Sequence, residues 1–215
     1  MRLVIRRLAV RASLAAVATA VSFLVVPMRA ALAQAGVGAS LTPYAGYFMT
    51  GHWYDGPVGT SLSTTNSPLV GAQGTIPLTK GIALVGNLAY ASGDLRVGLP
   101  LLGGVTIGSA TTWLYDVGLE LGGLAGRKAG IAPFVSGGVG GMTNDIRNSL
   151  FNTRASNIAY TGALGLDVGL TPGFGLRLQA KDWIGRFNSQ DAVGFRADGN
   201  MAHNWALTAG AKISF

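Results

Sequence analysis

Apolar and polar residues alternate with a period of two along most of the chain beyond residue 35, a pattern typical of β-strands with one face in apolar surroundings. The clearest run ends the chain, where Trp205, Leu207 and every second residue up to Phe215 are apolar. Eight segments share the pattern: 40–51, 67–79, 81–91, 110–124, 130–142, 158–170, 173–187 and 204–215. The facing of 40–51 and 130–142 stays open, because too many of their positions are Gly, Ala or aromatic.

The links between these segments alternate strictly between short and long. Short links follow the second, fourth and sixth segments, at 80, 125–129 and 171–172, and long links follow the others, at 52–66, 92–109, 143–157 and 188–203. Tight turns at one rim and long loops at the other are typical of up-and-down barrels. The sequence therefore predicts an all-β fold, a single eight-stranded antiparallel barrel.

Composition indicates that this barrel crosses a membrane. Only 12% of the residues are charged and the mean hydropathy is +0.39, whereas about a quarter of a soluble domain is charged. A spanning helix needs roughly 20 consecutive apolar residues, and no such run occurs beyond residue 35. Because hydrocarbon offers backbone groups no partners, the remaining option is a closed transmembrane β-barrel.

The N-terminus has the layout of a secretory signal peptide. Basic residues from Arg2 to Arg11 precede an apolar stretch at 14–26 and a small-x-small site at Ala31-Leu32-Ala33. We expect cleavage after Ala33, with cleavage after Ala35 or a retained signal anchor as alternatives. The predicted organisation is a signal peptide at 1–33 and an outer-membrane β-barrel domain at 34–215.

Removing residues 1–33 changes the charge balance. Five of the 16 basic residues and none of the nine acidic ones lie there, so 11 basic residues remain against nine acidic ones. The sequence pI near 10.1 therefore reflects the export signal, and nucleic-acid binding is not expected. The chain has no Cys, which excludes disulfides, thiolate metal sites and a lipid-modified Cys.

The short link at Pro172 predicts which strand face points inward. A hairpin centred there places Asp167 opposite Arg177 and Ala163 opposite Lys181. Shifting the phase by one residue would put both cations in lipid, at about 2–4 kcal/mol each near the midplane. We therefore expect the apolar faces to point outward and a polar network to fill the narrow lumen. That network comprises Asp116, Glu120, Asp167, Arg177, Gln179, Lys181 and Lys212. The first hairpin similarly predicts Gln73 opposite Asn87.

Aromatic residues fall at the predicted strand ends, where interfacial girdles are expected. The loop-side group is Tyr90, Trp113, Tyr160 and Trp205, and the turn-side group is Phe174 and Phe215.

Together with the signal peptide and eight strands, several segments resemble strands of the small outer-membrane β-barrel family of Gram-negative bacteria, which includes OmpA-like, OmpX-like and opacity-type barrels. They are Thr42-Pro43-Tyr44-Ala45-Gly46-Tyr47, Pro133-Phe134-Val135, Gly175-Leu176-Arg177-Leu178, Lys181-Asp182 and the terminal Ile213-Ser214-Phe215. The resemblance covers the mature chain and implies that Phe215 is recognised by the outer-membrane assembly machinery.

Candidate chemistry is sparse. The two histidines, His52 and His203, fall at the same predicted rim on strands that closure makes neighbours, and Asp55 follows nearby. They are weak candidates for a metal site or a hydrolytic pair. The alternative is that they form ordinary hydrogen bonds at the rim and in the loops. The lumenal carboxylates could do acid/base work, but the available counter-charges favour structural ion pairs. The apolar stretch 95–107 either extends the third hairpin beyond the membrane or docks a partner or lipid tail.

The sequence thus predicts a non-enzymatic, monomeric, porin-like outer-membrane protein with a plugged polar lumen, no cofactor, and a structural or surface-interacting role through four external loops. Its expected partners are outer-membrane lipid, lipopolysaccharide and the assembly machinery. The alternatives are a lipid-A-modifying enzyme (acyltransferase or deacylase) and a narrow transporter for small apolar molecules.

Overall fold

The computed structural model describes residues 38–51, 54–55, 61–99, 103–124, 130–147, 152–186 and 201–215. The expected signal peptide lies outside these residues. All regular structure in the described part is β. The strands are β1 (Ser40–Met49), β2 (Tyr54–Asp55), β3 (Ser61–Thr64), β4 (Ser67–Thr79), β5 (Ile82–Leu99), β6 (Gly103–Gly122), β7 (Gly130–Arg147), β8 (Asn152–Thr171), β9 (Phe174–Arg186) and β10 (Met201–Ser214). No helix of the described part is long and apolar enough to span a membrane.

Eight of these strands close into an antiparallel barrel. Sequential neighbours pair from β4 to β10, and β1 pairs with both β4 and β10. The predicted eight-stranded up-and-down topology is confirmed. The two short strands lie in the link between β1 and β4, where β2 pairs with β3 and β3 pairs with the loop-side half of β5.

The strands differ from the prediction mainly in length. β5 and β6 stay paired as far as Leu99 and Gly103, so most of the link predicted at 92–109 is strand. Of the two interpretations of 95–107, the hairpin extension is confirmed. The link predicted at 143–157 was also too long, because β7 and β8 pair as far as Arg147 and Asn152. The extension of β7 and β8 was missed because the sequence at 143–157 is too polar to alternate visibly.

The structure decides the facing of the two strands that the sequence left open. Phe48 of β1 and Phe134 of β7 are buried and point inward, whereas Tyr47 and Val135 are about half exposed and point outward. Glycines explain how aromatic residues fit inside so narrow a bore. Phe134 lies over Gly165 of the next strand, where an added Cβ would collide with its ring.

Outward-facing positions form an apolar band with a sharp upper edge. On β5, Ile82, Leu84, Leu88 and Tyr90 are exposed, and the next outward residue is Ser92. The span from Ile82 to Tyr90 is about 26 Å along the strand, or about 20 Å in height at a tilt of ~40°, close to the ~25 Å band of outer-membrane barrels.

Aromatic side chains ring the upper edge of this band. Tyr90 packs edge-on against Trp113 at a centroid distance of 5.1 Å. Counted through the strand registers, Tyr47, Tyr115, Tyr160 and Trp205 lie near the same level, and all are exposed. Because the strands run past this level, the aromatic residues lie within them rather than at the ends where the sequence placed them. Phe174 is exposed at the opposite, turn-side rim.

The apolar band predicts a position-dependent response to charge. Val117 is 52% exposed within the band, so Val117→Arg should lower the free energy of unfolding by about 2–4 kcal/mol in lipid vesicles. Ser92→Arg, above the aromatic ring, should cost no more than about 1 kcal/mol. Urea titration of both variants checks this, and equal costs would contradict a lipid-facing band.

Candidate functional site

The lumen contains a buried ion cluster near the turn-side rim, centred on Arg177. The register places Asp167 directly opposite Arg177, on the inward face of the β8–β9 hairpin. Arg177 donates from Nε and Nη2 to the two Asp167 carboxylate oxygens at 2.7 and 2.8 Å. It also donates from Nη1 and Nη2 to Glu120 of β6 at 2.8 and 2.9 Å. One guanidinium thus joins two carboxylates across the bore.

The remaining contacts complete this cluster. Lys212 of β10 donates to Asp167 at 2.6 Å, and the backbone N–H of Leu124 donates to the same carboxylate at 3.1 Å. The Arg177 guanidinium lies 4.1 Å from the centroid of the Phe134 ring, within cation–π range. Arg177, Asp167, Glu120 and Lys212 are all at least 97% buried, so each charge depends on these partners.

A second polar layer lies closer to the loop side. Lys181 donates to Asp116 at 2.6 Å, and the Asn87 amide donates to the other Asp116 oxygen at 3.1 Å. The Tyr44 hydroxyl in turn donates to the Asn87 carbonyl at 2.6 Å. These four side chains come from four different strands and form one hydrogen-bonded chain across the lumen. Gln179, on β9 between Arg177 and Lys181, is also buried and inward.

An apolar layer fills the lumen above these two polar ones. Trp183 and Phe48 contact edge to face, with ring centroids 6.3 Å apart. The Lys181 ammonium lies 5.0 Å from the Trp183 ring, which links this layer to the one below. The buried members are Phe48, Leu69, Ala89, Ala91, Leu114, Met142, Ala159, Trp183 and Ala206. The sequence predicted a polar lumen, and this part of that expectation needs correction, because inward alanines and large apolar residues occupy this level.

The charges of the two polar layers balance. Asp116, Glu120 and Asp167 face Arg177, Lys181 and Lys212, and each of the three carboxylates is bound by at least one of the three cations. A general acid or base needs a carboxylate that substrate can reach. These carboxylates are instead buried and saturated by cations, so the arrangement supports a structural role.

The histidine pair that the sequence suggested stays a prediction, because His52 lies outside the described residues. His203 contacts Asp182 of β9, with 2.6 Å between Nδ1 and Oδ2. Within the described part of the chain, no group of three or more His, Cys, Asp or Glu side chains is placed to hold a metal ion.

Sequence reasoning missed several residues of the lumen. Tyr44, Phe48 and Phe134 lie on the strands whose facing was open, and Trp183 lies next to charged residues that hid its inward phase. A usable signal was present for Trp183, because it continues the inward series of Arg177, Gln179 and Lys181 at a spacing of two. Asp182 carried no such signal, because it sits on the outward face of its strand.

Comparisons with solved structures agree with this fold. OprG from Pseudomonas aeruginosa is similar with a TM-score of 0.62 at 14% identity, over 83% of this chain and 96% of that one. Neisserial surface protein A has a TM-score of 0.54 at 9% identity, over 83% and 97% of the two chains. AlkL in lipid bilayers has a TM-score of 0.54 at 15% identity, over 83% and 90%. No family model and no curated protein sequence matches the chain.

The closed topology, the apolar exterior and the filled interior together define the class. The chain has the fold of the small eight-stranded outer-membrane β-barrels, and its outer face exposes the apolar side chains that contact with lipid requires.

The ion cluster predicts that Arg177 is essential for stability. Arg177→Met leaves Glu120 without a cation and Asp167 with Lys212 alone, so we expect a loss of about 3–5 kcal/mol in the free energy of unfolding. The matched control is Arg154→Met, which removes an exposed pair with Asp145 and should cost less than about 1 kcal/mol. Urea unfolding in lipid vesicles measures both, and similar losses would show that burial of the cluster contributes nothing.

Proposed function

We propose that the chain is a non-enzymatic integral outer-membrane protein, structural or surface-interacting through the loops of the rim opposite the tight turns. The observation that carries this proposal is the lumen, in which two ion-paired layers and one apolar layer lie across the bore. A barrel sealed in this way cannot act as an open pore. Any specific interaction is therefore left to the external loops and the outer wall.

The proposed biogenesis and partners follow the same logic. Residues 1–33 would direct export and be removed, and the apolar band would place the barrel among outer-membrane lipid and lipopolysaccharide. Phe215, which directly follows β10, would serve the assembly machinery as the terminal recognition residue. Among the described strands of the barrel, closure between β1 and β10 leaves no edge for pairing with another chain, which fits a monomer.

The two alternatives are less well supported. A lipid-A-modifying enzyme requires His52 and His203 to converge with an acid or hydroxyl at the outer rim. Asp182 supplies an acid beside His203, but His52 lies outside the described residues, so only one half of that arrangement supports this alternative. A narrow transporter for small apolar molecules gains some support from the apolar layer on the loop side. A molecule entering there meets the Lys181–Asp116 layer and then the Arg177 cluster, so straight passage through the barrel is blocked.

The sealed lumen predicts that the barrel does not conduct ions. An ion crossing the barrel would have to pass the apolar layer and separate buried ion pairs, so the purified protein should show no steady conductance in planar bilayers. An open porin reconstituted in the same lipid provides the positive control. Stepwise channel openings at moderate voltage would contradict the proposal, and protein-dependent uptake of an apolar dye into vesicles would favour the transporter.

The role of Phe215 can be separated from a role in stability. Deleting Phe215 should lower the amount of heat-modifiable barrel in the outer membrane of cells, while purified protein still folds into lipid vesicles. Phe215→Trp, which keeps a terminal aromatic residue, serves as the control. Normal assembly of the deletion variant in cells would argue against the recognition role.

A further inference from the structure

The outer wall of the barrel carries a polar niche at the level of the aromatic ring. The strand registers of β8, β9 and β10 place six outward positions in two adjacent rows. The upper row is Tyr160, Ile184 and His203, and the lower row is Gly162, Asp182 and Trp205. These six residues are called the rim niche below.

Asp182 is the unusual member of the rim niche. It lies between Lys181 and Trp183, which both point inward, so its own carboxylate is on the lipid-facing side of the wall. The residue is only 5% exposed, and both carboxylate oxygens are used. One accepts from the backbone N–H of Asn204 at 3.1 Å, and the other contacts His203 Nδ1 at 2.6 Å.

The contact with Asp182 orients the His203 ring. Because Nδ1 contacts the carboxylate, Nε2 lies on the side of the ring away from Asp182, and the His203 side chain is 57% exposed. Tyr160 is 62% exposed and Trp205 is 44% exposed on either side. The niche thus presents a hydroxyl and an indole N–H as donors, while its one carboxylate is already occupied. Because Nδ1–H of His203 donates to Asp182, Nε2 becomes a third donor only in the imidazolium form.

The rim niche also has open space at Gly162 and an apolar surface directly below it. An added Cβ at Gly162 would meet no atom within 4 Å, so the wall is open at that corner. Below it on the same face Leu164 is 59% exposed, as expected for a surface that packs against acyl chains. A ligand that fits both parts has an acidic or acceptor-rich head and a hydrocarbon tail.

We propose that the rim niche binds the phosphate group of lipid A, with the imidazolium of His203, Tyr160 and Trp205 donating to its oxygens and an acyl chain lying over Gly162. A phosphate monoester presents three strong acceptor oxygens, which matches three donors better than a phosphodiester does. The carboxylate of Asp182 holds the imidazole in place and balances its charge when it is protonated. This proposal rests on the proposed outer-membrane location, since the loop-side rim would then face lipopolysaccharide.

Native mass spectrometry of the folded barrel in neutral detergent tests the proposal. Wild-type protein is mixed with lipid A, with dephosphorylated lipid A, or with phosphatidylglycerol, and the fraction carrying one bound lipid is measured. We expect preferential retention of lipid A, and a drop of about tenfold for His203→Leu, as for loss of a hydrogen bond to a charged group. His203→Gln, which keeps a donor, should restore part of the binding.

Matched tyrosine variants control for position. Tyr160→Phe should weaken retention severalfold, whereas Tyr90→Phe, which removes a hydroxyl at the same level on β5, should leave it unchanged. Unchanged lipid A binding in His203→Leu and Tyr160→Phe would overturn the proposal that the rim niche is the binding site. Equal retention of dephosphorylated lipid A or of phosphatidylglycerol would overturn the assignment to the lipid A phosphate. The outer-membrane location is tested separately by cell fractionation, and absence of the protein from the outer-membrane fraction would contradict it.

Discussion

An eight-stranded barrel in lipid must satisfy its backbone groups within its own wall and fill its own bore with side chains, because neither hydrocarbon nor bulk water is available to do so. Pairing of β1 with both β4 and β10 meets the first demand. The inward residues must fill the bore, and Arg177 is central among them. Its guanidinium binds Asp167 and Glu120 together, so the hairpin β8–β9 and strand β6 are joined across the lumen.

The layered lumen follows from the cost of unpaired charge. Three carboxylates and three cations can be buried only because they balance and because neutral groups such as Asn87 and Tyr44 take up remaining hydrogen bonds. Above them, where no counter-charges are present among the described inward residues, Trp183 and Phe48 exclude water instead. Polar and apolar layers thus seal the same bore by different means.

Asp182 departs from the pattern in which outward positions of the membrane band carry apolar side chains. Its strand neighbours Lys181 and Trp183 point inward, yet its carboxylate lies on the outer face of the wall, at a level ringed by aromatic residues. The contact with His203 makes this tolerable and leaves an oriented imidazole facing outward. Departures from the local pattern tend to mark functional or strained sites, and the rim niche is the clearest departure on this barrel.

Period-two alternation was sufficient to predict the eight strands, the topology and the inward face of β6, β8, β9 and β10. The hairpin register alone set Asp167 opposite Arg177, because a two-residue turn leaves little freedom in pairing. The facing of β1 and β7 was decided only in the closed barrel, where Phe134 can point inward because Gly165 leaves room for its ring. Strand closure and shear also decided the contacts between distant segments, namely Glu120 with Arg177, Asp116 with Lys181, and Asp182 with His203. Alternation along a strand carries no information about which residues meet across a bore or on a shared wall.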